Sequence, residues 1–136
     1  MNSLELYKLA EESGVSVQTH PLPLNESVSF RLEGDYYALI DPAQMETSAD
    51  ERVHLAHELG HCVTGNFYNP YSKLDVREKH EHRANVWAIR QLIPMDNLLQ
   101  RLQQGLTEAW QLAETFNVPQ WFMMQAMEYY RLQAIL

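Results

Sequence analysis

The chain has 136 residues, a formal net charge of −8 and one cysteine, Cys62. This length allows a single domain over residues 1–136 with a buried core, and the acidic balance argues against nucleic acid or an anionic membrane as a direct partner, because both attract basic surfaces. A lone cysteine excludes an internal disulfide, and the lack of a signal-peptide pattern or of an apolar run of about 18 residues predicts a cytoplasmic protein.

The first third of the chain predicts one helix and a short, mostly antiparallel sheet. Apolar residues at helical spacing predict a helix from Asn2 to Ser13, and the alternation in Val15–Thr19 predicts a strand. Two β-rich runs, Val28–Leu32 and Tyr36–Ile40, flank a glycine turn and predict a hairpin over about residues 28–41. The second run is the candidate edge strand for aligning an extended peptide, although it could equally be only structural.

Residues 49–65 predict the helix that carries the chemistry. Ser48-Ala49-Asp50-Glu51 is typical of a capping box at its start, and Gly65-Asn66 of its end. Small or apolar residues recur along it at steps of three and four: Val53, Ala56, Gly60 and Val63. The pentad His57-Glu58-Leu59-Gly60-His61 places His57 and His61 one turn apart on the same face, where both can bind one zinc ion. Cys62 lies about 100° from that face and is predicted to be a small buried residue.

The chain after this helix predicts a loop and a helical C-terminal half. Phe67–Val76 contains Asn69-Pro70 and is predicted as a loop, and Arg77–Ile93 as a helix. Three more helices are predicted, over Met95–Gln104, Leu106–Phe116 and Pro119 to about Ala134. The large aromatic residues of this half, with its methionines, are expected to fill its core: Trp110, Phe116, Trp121 and Phe122. Strands followed by helices indicate an α+β fold.

The third zinc ligand is expected on the helix after the loop, because catalytic zinc usually takes three protein ligands and leaves a position for water. The metzincin spacing is excluded, since Thr64 and Phe67 stand where it requires Gly and His. The remaining candidates are neighbours in sequence: His80, Glu81 and His82. At most one of them can occupy the ligand position, because successive residues point about 100° apart. Glu81 is favoured because it shares a face with residues small enough to let the two helices approach: Ala84, Asn85 and Ala88.

With these residues identified, the chain resembles the ImmA/IrrE metallopeptidases, intracellular zincins often carried by mobile elements. The resemblance lies in Arg52–His61, preceded by a hairpin, and in Glu81-x-x-Ala84-Asn85-x-Trp87-Ala88. It implies a small zincin-like domain with its core over about residues 15–93 and C-terminal helices over about residues 94–134 packed on that core. It also implies the metal ligands: His57, His61 and Glu81.

Glu58 is predicted to be the catalytic base. It follows the first ligand, so its carboxylate can face a zinc-bound water instead of the metal. Zinc lowers the pKa of that water, and Glu58 accepts its proton and later passes it to the leaving amine. Candidate donors for stabilising an oxyanion are Tyr68, Tyr71 and His54, although packing or surface roles are more ordinary for each; Asn85 is a candidate for holding a ligand in place.

The resemblance implies a zinc endopeptidase that cleaves a specific helix-turn-helix repressor encoded nearby, in a mobile element or a stress response. One alternative is a zinc-containing module that binds a partner without cleaving it. Another is a DNA-binding regulator, because Leu112–Val118 followed by a helix from Pro119 is similar to a helix-turn-helix. From Leu102 onward Arg131 is the only basic residue, which argues against contact with phosphates.

Overall fold

Three strands, six α-helices and one short 3-10 helix form over the residues that the computed structural model describes, 1–65, 67 and 71–133. In chain order they are α1 (Ser3–Glu12), β1 (Val15–Thr19), β2 (Ser27–Leu32), β3 (Asp35–Ile40), a 3-10 turn (Pro42–Gln44), α2 (Ser48–Thr64), α3 (Leu74–Leu92), α4 (Met95–Gln103), α5 (Ala109–Phe116) and α6 (Gln120–Leu132). The predicted α+β class is confirmed. No helix within these ranges has both the length and the apolar character needed to cross a membrane.

The strands form one mixed sheet in the order β1-β3-β2. β2 and β3 are antiparallel, with Ser27 opposite Ile40, and they form the predicted hairpin. Glu33 and Gly34 join them with φ angles of 52° and 87°, the positive pair that a tight two-residue hairpin turn requires. β1 pairs with the other side of β3 in parallel, with Val15 opposite Tyr36, so one of the two pairings is antiparallel.

This order corrects the assignment of the edge strand. Tyr36–Ile40 belongs to β3, which is bonded to a strand on both sides, so its backbone cannot align a peptide. The hairpin pattern identified two paired strands but carried no information on where the distant strand β1 would pair. Among the described residues, β2 has an edge with no strand partner, and β2 also contacts α2.

Helix α2 is the central element, contacted by α1, β2, β3 and α3. Its N-cap is Thr47, whose hydroxyl accepts from the Asp50 amide at 3.2 Å while the Asp50 carboxylate accepts from the Thr47 amide at 3.3 Å. The capping box therefore lies one residue before the predicted one. Gly65 ends the helix in the left-handed conformation, as expected, and Asn66 lies outside the described residues. Val63 is exposed, and the buried residues of that last turn are His61 and Cys62.

The C-terminal helices differ from the prediction in which aromatic residues they bury. Phe122 is fully buried, but Trp110 and Trp121 are 53% and 48% exposed. The buried residues of the same helices are their neighbours, Leu112 two positions after Trp110 and Phe122 next to Trp121. Pro119 is the N-cap of α6 instead of its first helical residue, and α5 begins three residues later than predicted, at Ala109.

α2 and α3 approach closely at Gly60. A Cβ atom on Gly60 would lie 2.6 Å from the carbonyl oxygen of Ala84 and 3.0 Å from its Cα, so no larger residue fits without moving the backbone of α3. α3 starts at Leu74, inside the segment predicted as a loop; residues 68–70 of that segment lie outside the described residues. The contact at Gly60 sets the spacing of the two helices and thus the position of Glu81.

Gly60→Ala is expected to lower the free energy of unfolding by roughly 1–2 kcal/mol, because overpacking exceeds the gain in helix propensity. It is also expected to weaken binding of zinc, since α3 must shift outward and carry Glu81 with it. Urea unfolding and titration with a zinc-binding dye measure the two effects. Val63→Ile, which adds one carbon to an exposed position of the same helix, is the control. Equal behaviour of the two variants would contradict this role for Gly60.

Candidate metal centre

Three side chains from α2 and α3 converge on one point. One ligand atom each from His57, His61 and Glu81 lies within 4.8 Å of the others. Glu81 accepts hydrogen bonds from Nε2 of His57 at 2.6 Å and from Nε2 of His61 at 3.0 Å. Two imidazole nitrogens and a carboxylate oxygen are a ligand set typical of catalytic zinc. The arrangement can therefore hold one divalent cation with a position left for water.

The two histidines owe their placement to the helix. They lie four residues apart on α2, and their ring centroids are 4.9 Å apart with the ring planes at 85°. His61 is buried and stacks at 6.2 Å on Phe67, which in turn stacks on Tyr36 of β3 at 5.9 Å. The aromatic wall formed by Phe67 and Tyr36 was not anticipated from the sequence, because it joins a loop residue to a strand.

Glu81 joins the histidines because α3 presents it on the face that packs against α2. Ala84 and Ala88 on that face are fully buried, in agreement with the close approach that was predicted. His80 and His82 do not belong to the group of three. Burial alone would raise the pKa of the Glu81 carboxyl, but the hydrogen bonds and charges of His57 and His61 hold that pKa well below its ordinary value. Glu81 is thus ionised, as a metal ligand must be.

Glu58 is buried beside the group and both of its carboxylate oxygens are bonded. Ser27 donates its hydroxyl to Oε2 at 2.6 Å, and Ser29 donates to Oε1 at 2.7 Å. The two serines lie on one face of β2, since alternate residues of a strand point the same way. These partners were missed. The signal for them was the alternation Ser27-Val28-Ser29 in the strand, but nothing local linked it to a glutamate 31 residues away from Ser27.

A chain of hydrogen bonds continues from Glu58 to the surface. Ser27 Oγ lies 3.2 Å from Nδ1 of His54, and Nε2 of His54 contacts the Glu26 carboxylate. The Ser27 hydroxyl thus lies between the Glu58 carboxylate and the His54 ring. His54, a candidate oxyanion donor, is therefore engaged with Ser27 and Glu26.

The structure describes three of the four remaining candidates: Tyr71, Asn85 and Cys62. Tyr71 is 95% exposed, and Tyr68 is not among the described residues. Asn85 donates to Gln125 at 3.0 Å, which ties α3 to α6. Cys62 is buried as predicted, and burial, with a smaller effect of the Glu58 charge, raises the pKa of its thiol to about 12. A thiol that stays protonated at neutral pH is a poor metal ligand.

The double variant Ser27→Ala/Ser29→Ala is expected to lower kcat by roughly 10- to 100-fold, the usual effect of removing groups that orient a functional side chain. KM and zinc affinity should stay unchanged, because neither serine belongs to the ligand group. Peptides selected from a mixed library, with products identified by mass spectrometry, supply the assay. Ser16→Ala makes the same change on β1, away from the site. A loss of zinc affinity equal to the loss of kcat would show that the serines support the metal and not Glu58.

Two hollows meet at the ligand group. The first has a volume of about 450 Å³ and is lined by all three ligands, with other walls from β2, Asn25, Glu58 and Phe67. The second has a volume of about 360 Å³ and is walled by α2, α3 and α6. Both include His57 and Glu81. A polypeptide passing over the ligands therefore meets a distinct surface on each side.

A larger hollow has a volume of about 700 Å³, and none of the three ligands lines it. Its buried charged residue is Arg52, which donates to the carbonyl oxygens of Phe116 at 2.7 Å and Asn117 at 2.5 Å and also to that of Met1. The carbonyls of Phe116 and Asn117 lie at the end of α5, and the carbonyl of Met1 lies in the N-terminal segment. Arg52 thus joins α2 to both, and we interpret this hollow as structural.

A comparison with models of protein families gives a match. The family model Peptidase_M78, described as the IrrE N-terminal-like domain, matches residues 10–126. This range contains the three converging side chains, Glu58 and both serines of β2. A search of the curated proteins found no match.

Proposed function

Because the chain belongs to the IrrE N-terminal-like peptidase family, we propose that it is a zinc-dependent endopeptidase. His57, His61 and Glu81 are the proposed zinc ligands, and Glu58 is the proposed catalytic base. The observation that carries this proposal is the convergence of the three ligand atoms within 4.8 Å, next to a buried glutamate fixed by two hydroxyls. An ordinary surface glutamate has neither burial nor such partners.

Each residue has a defined part in peptide hydrolysis. Zinc, when bound, supplies a Lewis acid that polarises water and the scissile carbonyl. Glu58 takes a proton from the attacking water and returns it to the nitrogen of the leaving amine. Ser27 and Ser29 keep both oxygens of Glu58 directed while this happens.

The substrate is proposed to be an extended segment of a protein lying along the outer edge of β2. The support is that β2 is an edge strand among the described residues, and that Val28 and Ser29 of β2 line the first hollow with His57. An unpaired strand edge binds an extended chain through backbone hydrogen bonds. The register of the peptide on β2 then determines which peptide carbonyl lies at the ligand group.

The protein cleaved is proposed to be a helix-turn-helix repressor of a mobile element or stress response, encoded nearby and met in the cytoplasm. The net charge of −8 supports a basic partner, and repressors are basic where they contact phosphates. Direct binding of DNA by this chain is disfavoured. In the described part of α5 and α6 the basic residue is Arg131, and its guanidinium pairs with Glu128 at 2.6 Å.

The test is incubation of the zinc-loaded protein with the repressor encoded beside it. We expect one cut, located by mass spectrometry, which stops with a chelator and returns with added zinc. Cleavage that persists at full metal depletion would overturn the zinc mechanism. Tight binding of the repressor by zinc-loaded protein, with no cut in it or in a mixed peptide library, would instead support the non-catalytic binding module.

A further inference from the structure

Trp121 is an exposed aromatic residue placed beside the ligand group. Its side chain is 48% exposed, and it lines the second hollow together with His57 and Glu81. The neighbouring Phe122 is fully buried, and its ring meets that of Trp121 edge to face at a centroid distance of 5.8 Å. An indole anchored in this way has little freedom to lose when a ligand covers it.

The rest of the second hollow suits a large side chain. Val53 of α2 adds an apolar surface. Asn85 and Gln125 also line it, and the hydrogen bond between them, at 3.0 Å, fixes α3 against α6. His54 and His82 line the hollow as well. Apart from Glu81, which bonds both ligand histidines, no carboxylate of the described residues lines it. The hollow therefore offers an aromatic and apolar surface with amide and imidazole groups and, among the described residues, no second carboxylate for a basic side chain.

The position of this hollow relates it to the cleaved bond. The two hollows share His57 and Glu81, so the ligand group separates the β2 side from the α6 side. A polypeptide whose carbonyl is held at the ligands must continue in both directions. On one side of the ligand group, β2 can form backbone hydrogen bonds with the substrate. On the other side, the second hollow can take up a side chain, so the parts of the substrate before and after the cleaved bond are held by different contacts.

We propose that the hollow formed by Val53, Asn85, Trp121 and Gln125 is a specificity subsite for a large apolar or aromatic substrate residue next to the scissile bond. This inference rests on the proposed peptidase function. Stacking on the indole and removal of apolar surface from water select such a residue over a small one. Trp110 is the comparison: it is exposed to a similar degree but lines neither hollow.

The kinetic test starts from a library-selected peptide. The residue on either side of the cleaved bond is replaced, one position at a time, by Phe, Leu, Ala or Arg. Trp121→Ala is expected to lower kcat/KM for the Phe and Leu peptides about tenfold, and for the Ala peptide by less than about twofold. Trp121→Phe should restore most of the loss, and Trp110→Ala should change nothing. An equal loss for every peptide, no loss for any, or a preference for Arg would overturn the subsite.

A binding test separates the subsite from catalysis. The indole N–H resonance of Trp121, assigned with Trp121→Phe, is followed by NMR in zinc-loaded Glu58→Gln protein. N-acetyl-phenylalaninamide is expected to shift it at lower concentration than N-acetyl-alaninamide, with no shift for Trp110. If wild type cleaves nothing but this shift is seen, the peptidase proposal fails, and the hollow binds a large side chain without being a subsite for cleavage. If peptides are cleaved but the two probes act alike, the subsite fails and the peptidase proposal stands.

Discussion

Glu58→Gln is expected to reduce kcat by roughly a thousandfold, within the range that general acid–base catalysis contributes. The amide keeps the size of the carboxylate and can still bond the hydroxyls of Ser27 and Ser29, but it cannot accept a proton from water. Zinc affinity should remain that of wild type, because Glu58 is not one of the three converging ligands. Single-turnover cleavage of a selected peptide and a zinc titration measure the two quantities.

The matched control for Glu58 is Glu46→Gln, the same substitution at an exposed residue just before α2. It should leave both cleavage and zinc binding unchanged. Circular dichroism establishes that each variant is folded. If Glu58→Gln cleaved as fast as wild type, Glu58 would not be the base, even though its two hydroxyl partners fix it at the site.

Glu81→Gln is expected to weaken zinc binding by at least about 100-fold, more than the loss seen when only a residue behind a ligand is changed. Removing the charge takes away the one anionic ligand of the group, and activity should fall in proportion at limiting zinc. Competition with a chelating dye gives the affinity. Glu78→Gln, one turn earlier on α3 and exposed, is the control and should bind as wild type.

The two neighbouring histidines decide the alternative assignment of the third ligand. His80→Ala and His82→Ala should each retain zinc affinity, because neither joins the converging group. Loss of affinity in one of them, with Glu81→Gln unaffected, would transfer the ligand role to that histidine. It would also require α3 to turn by about 100° relative to the arrangement described above.

What the sequence predicted well rests on local signals. The spacing of His57 and His61 needs only a helix, and Gly65 ends that helix by its own conformational preference. The sequence favoured Glu81 over His80 and His82 because the residues on its face are small enough to let α3 approach α2. The contact of Gly60 with Ala84 is the close approach that this argument assumed.

What the sequence missed involves contacts between distant segments. The pairing of β1 with β3 made β3 central, and no local pattern in Val15–Thr19 indicates its partner. Trp110 and Trp121 were assigned to the core on hydrophobicity alone, but their exposure depends on which face of each helix the rest of the protein covers. The error at the start of α2 was small, since Thr47 and Ser48 both carry a hydroxyl that can cap a helix.

The serine pair on β2 has a consequence for the timing of catalysis. Ser27 and Ser29 bond both oxygens of Glu58, so the rotamer of Glu58 is fixed by the fold and does not depend on an arriving peptide. The conformational entropy of that side chain is then lost when the protein folds and not when the substrate binds. Each turnover begins with the carboxylate already aimed, and binding free energy from the substrate remains for orienting the peptide itself.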